Sequence, residues 1–128
     1  MTWEGLNRRK FPRAMFPCPV KLVAAGAAAD NVFLTHTENI STGGICIILR
    51  KAMEKFTLLD VEIDLMDGQD HIICRGKVVW VVRRKATDPV KPSFYDMGIE
   101  YVDIKDEGRK RIQDLVGHLG KIDQRAKL

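Results

Sequence analysis

The stretch LLDVEIDLMDGQDHIICRGKVVWVVR, residues 58–83, decides how the chain folds. Its first part alternates, with Val61, Ile63 and Leu65 on one side and Asp60, Glu62 and Asp64 on the other. Successive side chains of a strand point to opposite faces, so this period of two predicts a strand, here Leu58–Met66, with one buried and one solvated face. Asp67-Gly68 is then a hairpin signal, because both residue types tolerate the left-handed backbone that a tight return demands. From His71 to Arg83 the apolar run resumes as a longer strand, in which Trp80 is expected to be buried. Gly76 inside that run marks a bulge or a close approach of another backbone.

The same alternation extends outward in both directions. Cys18–Ala25 places Val20, Leu22 and Ala24 on one face, and Val32–Thr37 and Ile45–Leu49 read as further short strands. Small residues at Gly26–Asp30 and turn formers at Asn39–Gly44 separate them. Downstream, the proline-containing loop Thr87–Ser93 leads to a strand over Phe94–Val102, with Tyr95, Met97, Ile99 and Tyr101 on one face. The period then changes. Ile112, Leu115, Val116, Leu119 and Ile122 follow the spacing of an amphipathic helix of about four turns. Asp103 or Asp106 is placed to cap it, Asp106 and Glu107 suit the positive end of its dipole, and Gly117 and Gly120 weaken its second half. The predicted fold is mostly β: a six-stranded antiparallel β-barrel, closed so that no edge is exposed, with a C-terminal α-helix whose apolar stripe covers an open end. The chain divides into a basic arm over residues 1–17, the barrel and helix over 18–120, and a frayed tail over 121–128.

A chain of 128 residues, 45 % hydrophobic and 30 % charged, supports one globular core. Its net charge of +4, from 21 Lys and Arg against 17 Asp and Glu, suits a small anionic ligand better than a nucleic-acid polymer. Arg8, Arg9, Lys10 and Arg13 crowd the arm, and Arg83, Arg84 and Lys85 form a second cluster. The three cysteines, Cys18, Cys46 and Cys74, form no CxxC pair and sit in apolar runs, which predicts buried reduced thiols. Met1–Phe16 lacks a signal-peptide core, and no apolar run approaches the roughly 18 residues of a membrane helix. No membrane segment and a cytoplasmic location are therefore expected.

Catalytic groupings are not found. His36, His71 and His118 have no metal-ligand spacing, Ser41 has no GxSxG around it, and Ser41–Gly44 opens a strand without P-loop spacing. The expectation is a binding protein, not an enzyme, with no metal and no cofactor.

Two local features suit binding. The first is Arg9-Lys10-Phe11-Pro12-Arg13, preceded by Arg8. Residues four apart in an extended arm face the same side, so both guanidinium groups can reach one ligand. Their planar forks match phosphate oxygens and guanine O6 and N7, and they can lie flat on a base. A basic solvated tail has the same composition. The second is Asn39-Ile40-Ser41-Thr42-Gly43-Gly44, with an amide, a hydroxyl, and two glycines that let backbone N–H groups approach a ligand. Alone it reads equally as a capped turn.

In this order and spacing, the two features resemble the PilZ domain family of cyclic di-GMP receptors. That family carries RxxxR in an N-terminal arm and, two strands later, [D/N]xSxxG on the barrel surface. Here these are Arg9 to Arg13 and Asn39 to Gly44. Gly76-Lys77-Val78-Val79-Trp80 and Met97-Gly98-Ile99-Glu100-Tyr101 are lesser echoes, and the resemblance runs from about Arg8 to Leu119. It implies the barrel and helix already deduced, and cyclic di-GMP as ligand. Arg9 and Arg13 would hold phosphates and guanine faces, with a further contact from Arg8. Asn39 and Ser41 would meet guanine edges or phosphate, and Gly43 and Gly44 complete the loop, Gly44 giving room. Asn39 stands where many relatives have Asp, an acceptor without the charge. The resemblance further implies an arm that closes onto the barrel when ligand binds, so that a partner protein in motility, exopolysaccharide export or adhesion reads the change. Two other readings stand beside it: a PilZ-like interaction domain without nucleotide binding, and a single-stranded nucleic-acid binder. The second fits poorly with 7 % aromatic residues, most of them on apparent core faces.

Overall fold

The computed structural model describes residues 15–24, 32–85 and 93–126, with side chains of the terminal helix described as far as residue 119. Arg8, Arg9, Arg13 and the rest of the arm to residue 14 lie outside the described residues. So do the turn at 26–30, the loop at 87–92 and the side chains of the tail.

Six strands and one helix make up the described chain: β1 (Pro19–Ala24), β2 (Val32–Ile40), β3 (Gly44–Leu49), β4 (Leu58–Ile63), β5 (Ile72–Arg83), β6 (Tyr95–Asp103) and α1 (Asp106–Ala126). Every pairing is antiparallel, and the order β1-β2-β3-β6-β5-β4 closes into a barrel through β1 and β4. The alternation read in the sequence sets the inside. Val20 and Leu22, Ile45, Ile47 and Leu49, Leu59, Val61 and Ile63, and Met97, Ile99 and Tyr101 all enter one core. Burying side chains of this size stabilises by about 1.5–3 kcal/mol each. Helix α1 closes the core with Ile112 and Val116, and Leu115 and Leu119 pack beside them.

Several boundaries differ from the sequence expectation. Asn39 and Ile40, composed like a turn, continue β2, because Ile40 is fully buried and pairs with Ile45. The turn shrinks to Ser41–Gly43, and Gly44 begins β3. Strand β4 stops at Ile63, and the return to β5 occupies residues 64–71, with Gly68 at a φ of 76° as the hairpin signal required. Neither Asp103 nor Asp106 caps α1. Arg109 N donates to Lys105 O at 3.1 Å, which makes Lys105 the cap and places Asp106 and Glu107 in the first turn, where the dipole favours them. Gly76 meets the first of its expectations, a register irregularity, while the atom that crowds it belongs to a side chain and not to a neighbouring backbone. The β5–β6 register shifts beside it, and a Cβ there would fall 2.5 Å from Ile99 Cγ2.

The register also fixes what gathers at one end of the barrel. Pro19 begins β1, Ile40 ends β2, Gly44 begins β3, Ile63 ends β4, Ile72 begins β5 and Asp103 ends β6, all at that end. The chain entering from the arm, the glycine turn and the start of α1 therefore converge there.

Candidate functional site

The root of the arm is held by a residue that the sequence did not single out. Thr37 is fully buried, and its hydroxyl accepts from Cys18 N at 2.8 Å and donates to Phe16 O. Its own N–H donates to Cys18 O at 2.9 Å. Phe16 packs against the core. One buried threonine thus fixes where the arm leaves the barrel, beside the end of β2 that carries Asn39.

The glycine turn is built from Ser41. This serine is only 2 % exposed. Its hydroxyl accepts from Gly43 N (3.1 Å) and Gly44 N (3.2 Å) and donates to Gly44 O (3.2 Å). A hydroxyl has one donor and two acceptor positions, so its capacity is used within the turn. The N–H groups of Gly43 and Gly44, which the sequence offered to a ligand, face this oxygen instead. Tyr101 N donates to Gly43 O at 3.1 Å, tying the turn to β6. Gly44 leaves room for protein: a Cβ there would fall on the carbonyl oxygen of Ile99, because β3 and β6 approach closely at this pair.

Asn39 lies on the outer face. The β2–β3 register shifts between Thr37 and Asn39, so Glu38 is an extra residue in the strand. The ladder then runs Asn39–Cys46–Gly98–Trp80 across four strands, while the neighbours Ile45, Ile47, Met97 and Ile99 point into the core. Trp80 lies over Gly98, whose missing Cβ leaves the space the indole occupies. The sequence placed Trp80 in the core. A second register shift between Val78 and Trp80 inserts Val79 and turns the indole outward, half-buried, onto the row of Asn39. Alternation continued from Ile72 through Val78 gives the opposite face, so periodicity held no signal for this residue.

Next to that row, Arg84 Nε donates to Asp96 Oδ1 and Oδ2 at 3.0 and 3.1 Å, and its Nη2 pairs with Glu38. Glu38 Oε2 lies 3.8 Å from Cys46 Sγ. Loss of solvation, with Asp96 close by, raises the Glu38 carboxyl above its usual range, against the pull of Arg84. The three cysteines are buried, and burial pushes the Cys18 and Cys74 thiols up to about 11, which keeps them protonated and unreactive. At the far side of the same barrel end, His71 Nδ1 lies 2.9 Å from Glu62 Oε2, and Nε2 lies 3.5 Å from Asp64 Oδ2. The Glu62 hydrogen bond raises the His71 imidazole above its ordinary value. Among the described residues no group of His, Cys, Asp and Glu could hold a metal ion, and no helix is long and apolar enough to cross a membrane.

The structure thus brings together Asn39, Ser41, Gly43, Gly44, Trp80 and the root of the arm, while Arg8, Arg9 and Arg13 lie outside the described residues. The sequence profile of the PilZ domain matches residues 7–118. The chain belongs to the PilZ domain family. Solved PilZ-type structures share the fold. The PilZ domain of YcgR from Escherichia coli, solved with c-di-GMP, matches with a TM-score of 0.67 at 15 % identity, over 94 % of this chain and 97 % of that one. The Bacillus subtilis inhibitor of motility MotI/DgrA matches with a TM-score of 0.71 at 20 % identity, over 92 % of this chain and 53 % of that one. The K. pneumonia MrkH–c-di-GMP complex gives 0.70 at 17 %, over 93 % and 55 %. This chain spans about half the length of the latter two. No curated protein matches the sequence. In PilZ terms, RxxxR precedes the described chain, which joins the barrel where Phe16 and Cys18 bond to Thr37 of β2, and Trp80 shares the outer row of Asn39.

Proposed function

We propose that this PilZ domain is a cytoplasmic, non-enzymatic receptor for cyclic di-GMP that regulates a partner protein. The observation that carries the reading is that the chain entering β1 at Phe16 and the glycine turn meet at one barrel end, from which Asn39 starts the outer row that runs across to Trp80. Three peptide units separate Arg13 from Phe16, so its Cα lies within about 11 Å of the anchored Phe16 Cα. Arg9 and Arg13 hold the phosphates and the Hoogsteen edges of guanine, and Arg8 adds a further cation. Asn39 meets a guanine edge from the outer face. Ser41 acts by shaping the turn, with Gly43 and Gly44 inside it. Trp80 adds to these residues as a flat apolar platform for a base. Ligand binding draws the part of the arm (residues 1–17) that precedes the anchored Phe16 onto the barrel, because a ligand stabilises the state it binds better. Two of the relatives were solved with c-di-GMP, which supports the choice of ligand.

Calorimetric titration with cyclic di-GMP tests this directly. Arg9→Ala or Arg13→Ala removes charge-assisted hydrogen bonds of about 1.5–3 kcal/mol, a loss of roughly 10- to 150-fold in affinity. The unfolding temperature should be unchanged, since the arginines precede the anchored residues. Wild-type affinity in both variants would remove the arm from the site.

A further inference from the structure

The glycine turn is held from two directions. Within the barrel wall, Ser41 Oγ holds Gly43 N and Gly44 N, and Tyr101 N holds Gly43 O. From outside the wall, Arg109 Nη1 of α1 donates to Thr42 O at 2.7 Å, across 67 residues of sequence. The helix has a second arginine at this end. Arg111 donates to Asp70 O at 2.8 Å and, through Nη2, to both carboxylate oxygens of Asp67 at 2.9 and 2.8 Å. The two side chains divide the docking of α1: Arg111 fastens it to the β4–β5 hairpin, Arg109 to the turn.

We infer, resting for the ligand on the cyclic di-GMP reading above, that Arg109 is a positioning residue of the binding site and the link through which the turn and α1 move together. The bond is charge-assisted on the donor side and meets the middle carbonyl of the turn, so it resists rotation of the Thr42–Gly43 peptide unit. Any ligand that favours one setting of the turn therefore favours one setting of the helix, and the coupling is reciprocal. Thr42 is not a ligand contact in this account. Arg109 acts through the carbonyl it holds, and α1 is the element that carries the bound state to the rest of the surface.

The test compares three variants of the full chain. Arg109→Met keeps the aliphatic stem and removes the donors, Arg109→Lys restores a cationic donor, and Arg111→Ala loosens the same helix without touching the turn. Cyclic di-GMP affinity should fall on the order of 10-fold in Arg109→Met and recover at least in part in Arg109→Lys. Arg111→Ala should lower the unfolding temperature but keep wild-type affinity. Without ligand, amide hydrogen exchange at Gly43 and Gly44 should speed up in Arg109→Met and stay at the wild-type rate in Arg111→Ala. Equal effects of Arg109→Met and Arg111→Ala on affinity, or unchanged exchange at the turn in Arg109→Met, would overturn the link. If the wild type does not bind cyclic di-GMP, the ligand reading falls, and the exchange comparison alone decides the link.

Discussion

Gly44→Ala separates the two reasons for which a glycine can stand in the second motif. If Gly44 makes room for a ligand, alanine weakens binding and leaves the fold intact. The structure gives the other reason. The added Cβ would fall on Ile99 O and lie 3.1 Å from Ile99 C and 3.2 Å from Glu100 Cα. All three are backbone atoms, so no side chain can swing away, and β3 must separate from β6 at the pair Gly44–Glu100. Overpacking of this kind costs about 1–3 kcal/mol, and a weakened ladder hydrogen bond adds about 1 kcal/mol. The total is about 2–4 kcal/mol. At about 4 °C per kcal/mol for a domain of this size, the unfolding temperature should drop by about 8–16 °C. Differential scanning calorimetry with and without cyclic di-GMP measures both effects on one sample. Gly117→Ala is the internal control: its Cβ meets nothing within 4 Å, and alanine in place of a helical glycine should raise stability by up to about 1 kcal/mol. A Gly44→Ala protein that melts like wild type but has lost its ligand would refute the close-approach argument.

Thr37→Val keeps the shape of a buried side chain but leaves Cys18 N and Phe16 O without their partner, so stability should fall by about 2–4 kcal/mol in urea titrations, with Thr37→Ser retaining most of it. Trp80→Ala should weaken cyclic di-GMP binding by about 1–3 kcal/mol if the indole stacks on a base, and fluorescence of Trp80 should change on saturation; unchanged affinity would make it only a cover for Gly98. The His71 imidazole, followed by NMR, should titrate above the ordinary value of 6.5 and return toward it in Glu62→Gln. A histidine whose folded pKa is raised stabilises fully below its unfolded pKa and loses that contribution as pH rises through the folded one. The His71→Ala variant should therefore show less decline in stability than wild type across that window.

The barrel was legible because its strands obey one rule: apolar residues at every second position, interrupted by turn formers. The rule failed where the backbone broke its own period. Val79, an inserted residue, turned Trp80 from the core to the outer face, and Glu38 did the same service for Asn39 on β2. Composition misplaced Asn39 and Ile40 because turn-forming residues also occur at strand ends, where pairing with Cys46 and Ile45 decides the matter. The cap of α1 was misread because the first i→i−4 bond, from Arg109 N to Lys105 O, sets the N-cap position at Lys105, between the two aspartates. In the second motif, residue types were visible but their direction was not. Ser41 could be read as reaching outward or inward, and only the positions of Gly43 N and Gly44 N show that it faces inward. Contacts such as Thr37 to Phe16 and Arg109 to Thr42 join residues 21 and 67 apart, for which a single sequence carries no local signal.

The central claim is that this domain recognises cyclic di-GMP and not nucleic acid or nucleotides at large. Side-by-side calorimetric titration of the wild-type chain with cyclic di-GMP, cyclic di-AMP and a single-stranded oligonucleotide measures it most directly. Adenine presents an amino donor where guanine O6 accepts from an arginine fork, so saturable binding of cyclic di-GMP, with cyclic di-AMP weaker by at least about 10-fold and no saturable oligonucleotide binding, is the predicted result. Equal affinity for the two dinucleotides, or binding of the oligonucleotide alone, would contradict it.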